Sequence, residues 1–238
     1  MKRFPAILTL AALVALAILV GLGTWQLRRH AWKQDLLARV ETLKTAAPRP
    51  LAPALEKGAE GADLDYSRVT VACPGLDRAR YVELYALREG QAGTRLISAC
   101  PVVGAGPYET VLVDRGFVPE TISARPPEDP AATGPVTVVG VLRLPDEPTF
   151  VTPEDRPDLN RFYSRDAVAM ASALGARKPA PWFLMVETST NPEWRALDPA
   201  PLPASISNRH LEYALTWFGL AVALLGVYAA VLWKRLRR

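Results

Sequence analysis

Histidine and cysteine are scarce in this chain. Its 238 residues hold two of each, and the histidines, His30 and His210, leave the whole stretch between them without an imidazole. A Ser-His-Asp triad needs a histidine inside a folded domain, so that chemistry has nowhere to sit. There is no Gly-rich phosphate loop, no HExxH and no zinc-type spacing, which removes the common nucleotide and zinc sites. The paired carboxylates Glu128-Asp129 and Glu154-Asp155 fall in Pro-rich segments and read as solvated loops. No internal repeat is visible. These absences argue against an enzyme and leave recognition or delivery.

Charge is missing in two places. Neither Phe4 to Leu27 nor Ala214 to Trp233 contains a charged residue. Each run has roughly the 20 residues that a helix needs to cross a bilayer. A secretory leader has a shorter apolar core and a small-residue cleavage site. The first run is longer and ends in Gly-Leu-Gly-Thr-Trp-Gln, so it reads as an anchor that stays attached, with a cleaved leader as the alternative. Orientation at the first span is balanced, because Lys2 and Arg3 compete with Arg28, Arg29 and Lys33. The second span decides it: Lys234, Arg235, Arg237 and Arg238 follow it, and little positive charge precedes it apart from Arg209. Basic flanks stay cytoplasmic. Both termini are therefore expected on the cytoplasmic side, with the main domain outside: periplasmic in a bacterium, facing the intermembrane space in a mitochondrion. Removing the six terminal Lys and Arg leaves 22 basic residues against 24 acidic ones. The basic balance belongs to the anchors and is no nucleic-acid footprint.

The expected organisation is a transmembrane helix over 1–27, an outward-facing β-rich domain over 28–207, a second transmembrane helix over 208–233 and a basic tail over 234–238. Trp32, Leu36, Leu37, Val40 and Leu43 recur at helical spacing, so the first span should continue as a helix to about Lys44. Ala46 to Ala62, rich in Ala and Pro, reads as a loop or linker. Strands are predicted from about Arg68, then over 80–87, 95–103, 110–118 and 136–144, with turns at Pro74-Gly75 and at Gly104-Ala105-Gly106-Pro107. Arg125 to Pro135, with four prolines, is a surface loop. Asp158 to Ser164 is irregular. A helix over 165–174 capped by Ser164 and a strand over 182–187 complete the domain. The fold class is α+β: two transmembrane helices flanking a mainly antiparallel, small barrel-like β domain with one or two helices. Gly21 and Gly23 in one span, and Gly219 and Gly226 in the other, would permit close helix approach.

Cys73 and Cys100 lie in two strand candidates of a domain expected in an oxidising compartment, so a structural disulfide is the simplest reading. Two free thiols, or a soft metal site, are the alternatives. Near the second span, His210 sits among Tyr213, Trp217 and Phe218. An imidazole in such apolar, aromatic surroundings suits an axial ligand of haem iron. The competing reading is an interfacial histidine meeting lipid headgroups, with Tyr and Trp as the aromatic belt. His30, among Arg28, Arg29 and Lys33, has an interfacial role as its simplest explanation.

Three stretches point to one family. They are Gly23-Thr24-Trp25-Gln26-Leu27-Arg28-Arg29 at the exit of the first span, Val111-Leu112-Val113-Asp114-Arg115-Gly116-Phe117-Val118-Pro119 mid-domain, and Asn208-Arg209-His210-Leu211-Glu212-Tyr213-Ala214-Leu215-Thr216-Trp217-Phe218-Gly219 opening the second span. Their order and spacing resemble the Surfeit-locus (Shy-type) family of cytochrome c oxidase assembly factors over almost the whole chain. The resemblance implies a biogenesis factor for haem-copper oxidases in the bacterial inner membrane, assisting haem a handling and insertion. Its implied partners are oxidase subunit I, other assembly factors and haem a synthase. His210 matches the position implicated in haem binding, with Tyr213 and Trp217 beside it. A scaffold that holds assembly intermediates without a cofactor is the alternative. The mid-domain stretch departs from the family's usual form, with Asp114 where Asn is common and Phe117 where Trp is common. Arg115-Gly116 reads as a strand end where the backbone needs freedom, with Gly116 structural. The two cysteines are not part of the family pattern.

Overall fold

The computed structural model describes residues 6–145, 147–199 and 208–237. Lys2, Arg3 and Arg238 of the basic tails, and residues 200–207 of the Pro-rich return to the second span, lie outside the described residues. The helices are α1 (Ala6–Thr45), α2 (Leu51–Ala59), α3 (Ala167–Ala173) and α4 (His210–Arg237). The strands are β1 (Arg49–Pro50), β2 (Arg68–Ala72), β3 (Val82–Arg88), β4 (Gln91–Ala105), β5 (Tyr108–Pro119), β6 (Thr137–Arg143), β7 (Arg161–Phe162) and β8 (Pro179–Val186). Two compact units result: Met1–Glu41 with Ser205–Arg238, and Thr42–Ala204.

In the helical unit, Ala6–Asp35 and His210–Arg235 are each long and apolar enough to cross a membrane. At 1.5 Å per residue α1 is about 60 Å long, roughly twice a hydrocarbon core. It therefore continues past its apolar run without a break, as the spacing of Trp32 and Leu37 predicts. Glu212 in the first turn of α4, and Lys234, Arg235 and Arg237 in its last, complement the helix dipole.

The second unit is built on one eight-stranded mixed sheet in the order β1-β2-β6-β8-β5-β4-β3-β7. Most neighbours are antiparallel, but β5 and β8 run parallel, as do the short edge pairs β1-β2 and β3-β7. Side chains alternate across the sheet. Val111, Val113, Ala180, Trp182 and Leu184 share one face with Leu51, Ala54 and Leu55 of α2. Leu112, Phe183 and Ile97 face the other way, onto Met170 and Ala171 of α3.

The expected barrel is not formed, because β1 and β7 remain as edges. The sheet is nevertheless strongly curled. Strands β2 and β4 are separated by β6, β8 and β5, a distance of about 19 Å in a flat sheet at ~4.8 Å per strand. Yet Cys73, one residue beyond β2, is disulfide-bonded to Cys100 of β4, with their Cα atoms 5.4 Å apart. Both cysteines are buried within the first core face. Replacing both with Ala should lower domain stability by about 2–4 kcal/mol. Urea unfolding of the detergent-solubilised protein, followed by tryptophan fluorescence, is the check.

The stretch expected to be a linker contains α2. Its buried residues Leu51, Ala54 and Leu55 have helical spacing. Pro53 is its third residue, where the backbone N–H has no intrahelical partner to lose. Helix α3 is capped by Asp166 rather than Ser164; the Asp166 carboxylate accepts from the Val168 and Ala169 amides at 2.9 and 3.0 Å.

Arg115 and Gly116 lie within β5 rather than at a strand end. Asp114 and Arg115 are both fully buried, on opposite faces of the sheet. Asp114 Oδ2 accepts from Arg95 Nε at 2.6 Å and Arg165 Nη2 at 2.9 Å. Arg115 donates to Thr190 Oγ1, Ser98 Oγ and the carbonyls of Asp77 and Ala79. Gly116 has φ 135°, and a Cβ there would lie 2.6 Å from the Asp198 carbonyl oxygen. Phe117 then bridges to Asp198 in antiparallel fashion. Gly116 is structural, as expected, and the reason is this close backbone approach.

Candidate functional site

Within the helical unit, buried and half-buried positions of α1 fall at Thr9, Ala12, Leu16, Leu19, Gly23, Gln26, His30, Lys33 and Leu37, flanked by Ala15 and Leu22. The spacing alternates between three and four, which is the seam of a left-handed helix pair. Cross-pair contacts give the register. Thr9 Oγ1 and Tyr228 Oη are hydrogen-bonded at 2.6 Å. A Cβ on Gly23 would lie 2.7 Å from the Phe218 ring. His210 meets Gln26, and His30 meets Asn208. Residue numbers rise on one helix as they fall on the other, so α1 and α4 are antiparallel. Of the four glycines expected to bring the spans together, only Gly23 does so; Gly21, Gly219 and Gly226 have open space where a side chain would stand.

Polar groups on this seam sit beside apolar runs, where an unpaired donor or acceptor costs several kcal/mol. Thr9 and Gln26 have partners on α4, and His30 has one two residues before it. His210 Nδ1 lies 2.7 Å from Gln26 Oε1. Since Oε1 can only accept, Nδ1 carries the hydrogen and donates. The Trp25 ring meets the His210 ring edge-on at 6.5 Å between centroids. His30 Nδ1 lies 3.1 Å from Asn208 Oδ1, and Asn208 Nδ2 donates back to the His30 carbonyl at 3.5 Å. The two histidines thus occupy successive rungs, each bound through Nδ1 to a carboxamide of the other strand of the pair.

His210, Tyr213 and Trp217 recur at i, i+3 and i+7 and so run along one side of α4. Tyr213 is 54% exposed, while His210 and Trp217 are half-buried. The structure brings His210 to Gln26 and Trp25, two residues of the first motif that sequence pattern alone does not assign to the site. The signal for Gln26 was present: it is a carboxamide closing an uncharged span, which demands a partner.

The seam offers one imidazole nitrogen as a candidate metal ligand. Nε2 of His210 is the ring nitrogen left with a lone pair, and the hydrogen bond at Nδ1 is the kind that orients a ligating imidazole. Among the described residues no three His, Cys, Asp or Glu side chains gather as a bare ion would require.

The sequence profile of the SURF1 family matches residues 13–222. The chain belongs to the SURF1 family. All three motifs and every seam residue from Leu16 to Phe218 fall inside the match. Among its relatives, Surfeit locus protein 1 of Mus musculus is 32% identical over 223 residues, covering 85% of this chain and 68% of that one. The Homo sapiens protein of the same name is 32% identical over 222 residues, covering 85% and 70%. That of Takifugu rubripes is 30% identical over 239 residues, covering 91% and 93%. As a SURF1 family protein, the chain places Gln26 and His210, from two of the family-like motifs, in one hydrogen bond.

Proposed function

We propose that this protein is an assembly factor for haem-copper oxidases that receives haem a as cargo and passes it to the catalytic subunit. One observation carries this reading: His210 is held through Nδ1 by Gln26, which leaves Nε2 as a ligand nitrogen, with the Trp25 ring edge-on to the imidazole and Tyr213 and Trp217 further along the same side of α4. A single oriented imidazole fits iron whose equatorial positions are already filled by its own ring. His210 binds the cargo, Gln26 fixes the ligand's direction, and the aromatic side chains offer faces for the macrocycle.

The reading includes a place in the cell. Residues 28–207 form the outward, periplasmic domain, and 1–27 and 208–233 cross the bacterial inner membrane with both termini cytoplasmic. The antiparallel helix pair and the basic residues Lys234, Arg235 and Arg237 support this topology. The partners are oxidase subunit I, other assembly factors and haem a synthase, with membrane lipid around the spans.

A second reading, a scaffold without cofactor, draws on the exposed apolar side chains of α4, including Leu215, Val222 and Val227, which offer a helix-docking face. The optical and pyridine-haemochrome spectra of the detergent-purified protein, coexpressed with haem a synthesis, separate the two. Near-stoichiometric haem a is expected in the natural protein, and its loss in His210→Ala. Haem retained by His210→Ala would overturn the ligand assignment. No haem in either protein would favour the scaffold.

A further inference from the structure

We infer that Gln26 is the positioning residue of the site: by accepting from Nδ1 it fixes His210 in the Nδ1–H tautomer and presents Nε2 as a bare lone pair. The role toward a metal rests on the haem-binding reading above; the tautomer does not.

The argument is one of satisfaction and direction. Neutral imidazole has one donor and one acceptor nitrogen, and the partner of one nitrogen decides the role of the other. In water the Nε2–H form is the favoured one, and it has no lone pair at Nε2. At His210 it is Gln26 Oε1 that faces Nδ1, at 2.7 Å, and an oxygen there is satisfied only by Nδ1–H donating to it. The contact joins the two helices at residues 184 apart in sequence. It can form only when α1 and α4 are in register, so an unpaired α4 would carry a histidine of the wrong tautomer. Helix pairing therefore makes the ligand competent. The Trp25 ring, edge-on at 6.5 Å, limits rotation of the imidazole about its bond to the helix.

Gln26→Leu, one atom shorter and apolar, removes the acceptor. Gln26→Asn retracts the carboxamide by one methylene, and Gln26→Glu keeps an acceptor oxygen. Ring-¹⁵N-labelled histidine in the full-length detergent-solubilised protein, at a pH where the rings are neutral, reads the tautomer directly. The chain has two histidines, so the spectrum holds two sets of ring signals, and His30→Ala assigns them. In each Gln26 variant the His30 signals, set by Asn208, report whether the helix pair has formed.

The expected result is Nδ1–H at His210 in the natural protein and in Gln26→Glu, with a shift toward Nε2–H in Gln26→Leu and Gln26→Asn. Affinity for added ferric protoporphyrin IX should fall about 10–100-fold in the two shifted variants, as for other groups that orient a metal ligand, and recover in Gln26→Glu. A natural protein with Nε2–H at His210, or a Gln26→Leu protein that keeps Nδ1–H, would overturn the inference. So would a shifted tautomer with unchanged porphyrin affinity. If the tautomer pattern holds while no form binds the porphyrin, the positioning by Gln26 stands and the haem-binding reading fails.

Discussion

An Asp114→Ala protein should lose about 3–5 kcal/mol of domain stability, the usual cost of removing one member of a buried ion pair and stranding the other. Asp114 is fully buried and is the shared acceptor of Arg95 and Arg165, and its Oδ1 accepts from the Gly116 amide at 3.3 Å. Without it, two guanidinium groups would face each other across the space it leaves. Among the described residues, Arg165 Nη1 is buried without a partner even with Asp114 in place. The same residue gives a pH signature. Burial pushes the Asp114 carboxyl up, but Arg95 and Arg165 together outweigh burial and hold it below the ordinary carboxylate range. A carboxylate with a depressed folded-state pKa contributes stability above its unfolded value, near 3.9, and loses it as pH falls through the folded one. Urea midpoints measured from neutral pH to below about pH 4 should therefore fall. Asp114→Asn should start lower and show a shallower acid limb. Equal slopes would show that another carboxylate dominates.

Arg115→Met should cost a similar amount, about 3–5 kcal/mol, for a different reason. Among the described residues Arg115 forms no ion pair; its hydrogen bonds go to uncharged oxygens. Nε reaches Thr190 Oγ1 at 3.0 Å, Nη2 reaches the Asp77 carbonyl at 2.8 Å, and Nη1 spans the Ala79 carbonyl and Ser98 Oγ. One planar fork thus ties the turn at residues 76–79, strand β4 and the segment after β8 to the centre of the sheet. Burial lowers its pKa to about 10, against the opposing pull of Asp77, Tyr81 and Glu128. The charge is kept there at a cost because neutral alternatives cannot serve several acceptors in these directions. Methionine would fill the path of the stem and leave those acceptors unsatisfied. Arg115→Lys tests the geometry apart from the charge, since an ammonium is a point donor on a flexible chain. It should recover less than half of the lost stability; full recovery would show that charge alone is needed.

The elements that sequence pattern makes legible are those whose residues answer to local rules. The alternation of Val69 and Val71, the apolar run over 136–144 and the helical spacing after Trp32 each lead to a correctly typed element, with ends shifted by a few residues. The misses have physical causes. Leu51, Ala54 and Leu55 form a helical stripe, but the prolines around them outweigh it in any local reading. Strands β1 and β7 are two residues each, defined only by a neighbour. The parallel pairing of β5 with β8 joins segments about 70 residues apart, which no spacing rule reaches. At the candidate site, His210 stands out because histidine is rare here. Its partner does not: Gln26 becomes informative only once two distant helices are in register. Tyr213, chosen for its chemistry and spacing, proves largely exposed, because aromatic character does not fix which side of α4 meets α1.

The disulfide has a bearing on where the chain has been. It fastens together two strands that the hydrogen-bond ladder holds three strands apart, so the curl of the sheet is written in a covalent bond as well as in pairing. Both sulfurs are buried, out of reach of small reductants once the domain has formed. A copy whose domain folded on an oxidising side of a membrane keeps that mark; a copy inserted the other way round carries two sheltered thiols instead. The number of thiols released on unfolding is thus a memory, kept in each molecule, of the compartment in which it folded.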